Sequence, residues 1–178
     1  MARYHPALVA LHWIMALMII MALFFGKVLL SAMPNSDPAK VEGLAGHMTI
    51  GLVLGGLLVL RLGVRLLSES PPHAKTGTAF LDRVGAATHW VMYLLVALMV
   101  ASGIGIAMST GLFPIVFGAS GDPLPESFDG LAPRVAHGIV STLLLALLAL
   151  HVLAALYHQF VLRDGLFRRM WFGRRKPE

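Results

Sequence analysis

The chain has 178 residues, 57% hydrophobic and 13% charged, with a formal charge of +5 at pH 7. That much apolar surface with so little charge excludes an ordinary soluble domain. The lack of cysteine excludes disulfides, thiolate metal sites, iron–sulfur clusters held by this chain and the Cys-x-x-Cys-His attachment of a c-type haem.

Four apolar runs follow one another, each long enough to cross a hydrocarbon core about 30 Å thick. The first, residues 7–30, comes after Arg3 and His5, and Pro6 suits its opening turn. It reads as a retained helix, since Ser31-Ala32-Met33 would be a poor signal-cleavage site. His12 lies one to two turns in, beside Trp13, a residue type that membrane interfaces recruit whatever the function. A turn-rich loop leads to the second run, 44–64, with His47 near its start and Arg61 and Arg65 at its end. Gly51 and Gly55 have a spacing that suits close helix packing or the approach of a flat macrocycle. His73, in the next loop, reads as solvated.

The third run, 84–109, carries His89-Trp90 near its start, so His-Trp-x-Met occurs at 12–15 and again at 89–92. This weak repeat suggests two similar hairpins. The connection before Arg134 is the longest, and its Gly, Pro, Phe and Leu content suggests a lid on the bundle. The fourth run, 135–160, has no acid, lysine or arginine but three histidines, His137, His151 and His158. Fourteen helical residues bring His151 to within about 40° of His137 and about 21 Å along the axis; His158 follows about 10 Å further on nearly the same face. The tail from Phe167 onward, FRRMWFGRRKPE, reads as an interfacial anchor.

No run alternates with period two, so the predicted fold is all-α: an integral membrane four-helix bundle, one domain over residues 1–178. All nine acids fall in loops or tails. Eleven of the fourteen lysines and arginines fall on the side shared by both termini, and only Lys27, Lys40 and Arg134 on the other. The positive-inside rule then puts both termini in the cytoplasm. The pI of about 10.1 reflects this topology and calls for no nucleic-acid partner.

Alternating helix direction sets depth. His47 and His137 fall near the external leaflet; His12, His89 and His151 fall near the cytoplasmic one, with His158 beyond them. Ionisable groups in a span are costly and usually functional, though histidines hydrogen-bonded in a bundle would look alike. A zinc or iron transporter would recruit carboxylates as well, and a proton pump meets the same objection, since no span contains one. Haem needs only paired neutral imidazoles across a gap and cations for its propionates. Arg134 could serve an outer haem; Arg61, Arg65, Arg83 and Arg163 could serve an inner one. The expectation is therefore a bundle binding two b haems.

At these residues the chain resembles the bacterial cytochrome b561 family, di-haem four-helix membrane proteins similar to the cytochrome b subunits of nickel–iron hydrogenases and formate dehydrogenases. The likeness rests on Leu11-His12-Trp13, Gly46-His47, Thr88-His89-Trp90, Ala136-His137, Leu150-His151 and Tyr157-His158, and it covers nearly the whole chain. It implies His12 with His151 as iron ligands of a cytoplasmic haem b, and His47 with His137 as those of an external one. It implies His89 and His158 near a haem or at a quinone site. Single-electron exchange with ubiquinone in a bacterial inner membrane is implied too, and in one branch superoxide oxidation at the external face. A superoxide funnel should be positive, yet the external segments hold three bases against five acids, a formal sum of −2. Only a local patch of Lys27, Lys40 and Arg134 would reverse that. Two alternatives stand beside this expectation. One is a cytochrome b subunit docked to a dehydrogenase or a soluble cytochrome through the long loop; the other is a histidine-lined metal transporter without haem.

Overall fold

The computed structural model describes residues 3–69, 71 and 78–173; His73, Lys75 and the bases at 174–176 lie outside the described residues. Among the described residues all regular structure is helical, and four helices are long and apolar enough to cross a membrane. Helix α1 spans Pro6–Phe24 and continues through a wider π-helical stretch, Phe25–Leu30. Helix α2 spans Ala39–Leu67, α3 Ala79–Thr110, and a short α4 Leu112–Phe117. Helix α5 spans Ala132–Tyr157, a second π-helical stretch covers His158–Leu162, and α6 is a single turn, Leu166–Arg169.

Each apolar run lies inside one long helix, and the helices reach up to five residues beyond it. Hydropathy marks the hydrocarbon edge, whereas helical hydrogen bonding continues to the next cap. His5 accepts from the Ala7 N–H at 3.3 Å, and Asp37 Oδ1 accepts from the Ala39 N–H at 2.9 Å. Gly111 closes α3 in the left-handed region (φ 67), which a residue without Cβ adopts cheaply.

Successive long helices run in opposite directions, with α1 packed on α2, α2 on α3 and α3 on α5. Between α5 and the α1–α2 pair the backbones stand apart, and side chains cross the gap. The buried core lies mid-bundle, around Met15, Leu54, Leu58, Val96 and Leu144. Leu144 is seven residues from both His137 and His151, so about 10 Å of apolar helix separates it from each. The outer surface is apolar as well, with Leu17, Leu94 and Leu150 more than half exposed, which costs nothing against lipid tails.

One end of the bundle, here the terminal face, gathers both described chain ends. Trp13 Nε1 donates to Met170 O at 2.8 Å, Arg3 Nη1 donates to Trp171 O at 3.2 Å, and Trp13 packs against Phe167 and Trp171. The tail that reads as an anchor is thus folded back onto the start of α1, with Trp13 as its clasp. At the other end, the loop face, Leu112 of α4 is buried and Asn35 Nδ2 donates to Pro125 O at 2.8 Å. The long connection lies on the bundle, as its composition suggests.

Candidate functional site

The histidines meet at two levels. Near the loop face, His47 of α2 and His137 of α5 have ring centres 6.2 Å apart and planes at 70°. Each ring rests against a glycine of a third helix. A Cβ on Gly26, in the π-helical stretch after α1, would lie 3.0 Å from His47 Cε1; one on Gly103 of α3 would lie 3.5 Å from His137 Cε1. π-helical turns inside helices often mark functional positions, and this one sets a glycine beside an imidazole. His137 Nδ1 lies 3.1 Å from Ser102 Oγ, while His47 Nδ1 is buried with no hydrogen-bond partner among the described residues.

A cavity of about 800 Å³ opens at this level, and both histidines line it. Of the two glycines whose spacing suits close packing, Gly55 takes that role. A Cβ at 55 would meet Val100 at 3.1 Å, which is helix packing; Gly51 lines the cavity and a Cβ there would meet nothing within 4 Å. Lys27, Lys40 and Arg134 all line the same cavity, together with Glu126 and Asp129. The three loop-face bases are therefore gathered in one place despite the acidic sum of their segments. Lys27 Nζ donates to Thr142 Oγ1 at 3.0 Å, and the buried Lys40 ammonium donates to the carbonyls of Leu30 and Met33.

Nearer the terminal face, His151 of α5 has two imidazole neighbours. His12 of α1 lies 6.2 Å away with planes at 64°, and His89 of α3 lies 5.8 Å away with planes at 86°. The two copies of His-Trp-x-Met thus set their histidines around one ring, while their tryptophans diverge. Trp13 holds the tail, and Trp90 lies 5.3 Å from the Arg65 guanidinium. His89 Nδ1 is 3.0 Å from Gly85 O; a carbonyl only accepts, so Nδ1 carries the proton and Nε2 keeps a lone pair. Arg61 donates from Nε to Tyr93 Oη at 2.9 Å and from Nη1 to Leu8 O at 2.8 Å, tying α1, α2 and α3 together.

Beyond this level His158 Nδ1 sits 2.6 Å from Asp164 Oδ2, and Asp164 Oδ1 accepts from the Leu166 N–H at 2.9 Å. Partial burial works to raise the Asp164 pKa, but the hydrogen bonds from His158 and Leu166 N–H outweigh it and hold the carboxyl below its usual value. Arg163 is exposed at φ 51, its Nε donating to Phe160 O at 3.3 Å. Sequence reasoning missed Gly26, Gly103, Ser102, Tyr93 and Asp164, all of which touch a histidine or an arginine it had singled out.

An iron held between two imidazoles, with metal–nitrogen bonds of about 2 Å and ring radii of about 1 Å, separates the ring centres by about 6 Å. His47 with His137 and His12 with His151 both meet that spacing, and His89 with His151, at 5.8 Å, meets it as well. The backbone gap beside α5 and the loop-face cavity leave room for a flat macrocycle. Among the described residues no group of three or more His, Cys, Asp or Glu is gathered to hold a bare metal ion. The residues present fit haem.

Comparison with known proteins points the same way. The model of the family described as prokaryotic cytochrome b561 matches residues 3–173. A protein of Yersinia pestis named probable superoxide oxidase CybB is 26% identical over 170 residues, covering 94% of this chain and 95% of its own. A cytochrome b562 of Cereibacter sphaeroides is 28% identical over 171 residues, covering 91% of this chain and 90% of its own.

Proposed function

The chain belongs to the prokaryotic cytochrome b561 family, which implies haem b, and on that footing we propose a di-haem cytochrome that carries single electrons between the two sides of a bacterial inner membrane. His47 and His137 are the iron ligands at the loop face, His12 and His151 those at the terminal face, and the terminal face is cytoplasmic. The observation that carries this reading is one ring separation, 6.2 Å, recurring at two levels of the bundle.

Bound haem supplies the one-electron couple. The chain's own residues hold it, control access and manage charge. Lys27 and Arg134 offer cations to carboxylates at the loop face, and Arg61, Arg65 and Arg163 are the candidates at the terminal face. Met15, Leu54, Val96 and Leu144 keep water out of the layer between the two levels.

The donor we propose is superoxide at the loop face. The name of the Yersinia relative supports it, and so does the gathering of Lys27, Lys40 and Arg134 on one cavity, because steering follows the local field rather than a formal sum. Two superoxide anions each lose one electron and leave as O2; ubiquinone takes both electrons and two protons to become ubiquinol. His158 and His89 are the proposed hydrogen-bond partners of the quinone. Asp164 Oδ2, 2.6 Å from its Nδ1, holds the His158 ring in place for that contact.

The test begins with colour. The purified protein should be red, show a b-type α-band on reduction and contain two haems per chain; a colourless protein that binds zinc would sink the reading. His137→Ala should remove the loop-face haem and His151→Ala the terminal-face one, and retention of both haems in both variants would break the assignment. Superoxide should reduce the haems rapidly, with a rate that falls as salt is raised. Reduction only by a partner protein would instead favour a subunit docked to a dehydrogenase or soluble cytochrome.

A further inference from the structure

We infer that Ser102 is a positioning residue for His137, fixing which nitrogen that ring presents to the cofactor and lowering the potential of the loop-face haem. The inference rests on the proposed role of His137 as an iron ligand.

Ser102 stands on α3, facing α5. Its Oγ lies 2.7 Å from Leu98 O, 3.0 Å from Met99 O and 3.1 Å from His137 Nδ1. A hydroxyl has one proton to give, and a carbonyl oxygen can only accept. The proton therefore goes back along α3 to Leu98 and Met99, and a lone pair of the hydroxyl faces the imidazole. Nδ1 must then carry the ring hydrogen and donate it to Ser102 Oγ, with the Met99 carbonyl as a second acceptor beside it. That leaves the lone pair on Nε2, the form a metal ligand requires.

A serine that merely parks its hydroxyl on the preceding turn is common in apolar helices, and Ser109 does the same in this chain at 2.7 Å from Gly105 O. Ser102 differs in that an imidazole from another helix completes the set. Gly103, the next residue, keeps the approach open, since even a Cβ there would leave 3.5 Å to His137 Cε1. Across the cavity His47 has nothing equivalent: its Nδ1 is buried with no partner among the described residues. The loop-face pair is thus asymmetric, with one ring fixed by a hydrogen bond and the other by packing alone. An Nδ1–H bond to an acceptor makes Nε2 a stronger donor, which favours ferric over ferrous iron.

The experiment is a spectroelectrochemical titration of both haems in the purified holoprotein, with Ser102→Ala, Ser102→Thr and His137→Ala beside the parent chain. Ser102→Ala should shift the ferric–ferrous equilibrium of the loop-face haem about tenfold toward ferrous, about 59 mV upward for one electron. The terminal-face haem should not move, and Ser102→Thr, which keeps the hydroxyl, should restore the parent value. An unmoved or lowered loop-face potential, an equal shift of both haems, or failure of threonine to restore it would overturn the inference. If Ser102→Ala loses the loop-face haem, restoration by threonine supports the role and loss in both variants overturns it. His137→Ala separates the two levels of argument. If it keeps both haems, the ligand assignment fails and the inference with it. If it loses the loop-face haem while Ser102→Ala changes nothing, only the inference falls.

Discussion

A single methyl group at position 26 should expel the loop-face haem while the same change at position 103 leaves it in place. Gly26 and Gly103 each lie against one of the two facing histidines, but at different distances. Carbon atoms are in ordinary contact at about 3.5–4.0 Å. A Cβ at 103 would sit 3.5 Å from His137 Cε1, inside that range, whereas one at 26 would sit 3.0 Å from His47 Cε1. The His47 ring must therefore retreat by roughly 0.5 Å or more, and such overpacking costs about 1–3 kcal/mol. A ring bound to iron cannot swing freely to relieve the clash, so the cost falls on cofactor retention. At about 1.4 kcal/mol per factor of ten, haem at that level should be held roughly 5- to 140-fold less tightly. Haem loss from purified Gly26→Ala to an excess of an apo-globin acceptor measures this, with the His137→Ala difference spectrum identifying which haem has gone. The expected result is fast loss of the loop-face haem alone from Gly26→Ala and near-parent behaviour from Gly103→Ala. Faster loss from Gly103→Ala than from Gly26→Ala, or loss confined to the terminal-face haem, would refute the reasoning.

Three further expectations follow from the terminal face. His89→Ala should keep two haems per chain by pyridine haemochrome assay; loss of one, with His12→Ala sparing it, would make His89 the partner of His151. Arg61→Lys should lower unfolding stability in detergent by about 1–3 kcal/mol, because lysine cannot reproduce the planar fork that reaches both Tyr93 Oη and Leu8 O; an unchanged unfolding curve would remove the clasp from the account. The Asp164 contribution to tail docking should be complete above the ordinary carboxylate pKa of about 4 and fade as pH falls through its lowered value, since a depressed carboxyl stabilises only while ionised. Asp164→Asn should therefore loosen the tail at pH 7, read as a red shift in tryptophan emission from Trp13 and Trp171, and an unshifted spectrum would remove Asp164 from tail docking.

What could be read from the sequence was what depends on one coordinate, distance along a helix. Apolar runs gave the four spans, and counting residues gave the depth of each histidine. Rotation about the helix axis was not readable. A soluble helix advertises its buried face by carrying polar residues on the other, but α1 and α3 are apolar all round, because lipid accepts what the core accepts. That is why depth put His89 at the level of His12 and His151 without showing that its ring would also come within 5.8 Å of His151, and why nothing singled out Ser102, Gly26 or Tyr93. Glycine and serine are frequent in membrane helices for packing reasons alone. Asp164 was passed over for a related reason. An acid six residues beyond His158 would lie far round an α-helix, and only the π-helical stretch and the left-handed turn at Arg163 and Gly165 bring its carboxylate back to the ring.

The two levels of the bundle differ in construction, and the difference bears on what each can exchange electrons with. At the loop face a pair of imidazoles borders a wide cavity lined by three bases, Lys27, Lys40 and Arg134, and two acids, Glu126 and Asp129, with Gly51 and Gly103 in its wall. Under the proposed function a small anion is drawn in there and leaves again without any bond to a side chain being made. At the terminal face three imidazoles crowd together, Arg61 and Arg65 are engaged with Tyr93 and Trp90, and the tail closes over Trp13. A partner meeting that face finds hydrogen-bonding groups, in His89 and His158, and in Asp164 a carboxylate already engaged by His158 and the Leu166 N–H. Under the proposed function this division of labour is chemically required: superoxide gives up one electron and no proton, so its site needs only field and access. A quinone is finished only by two electrons and two protons, so its site must also bind and titrate.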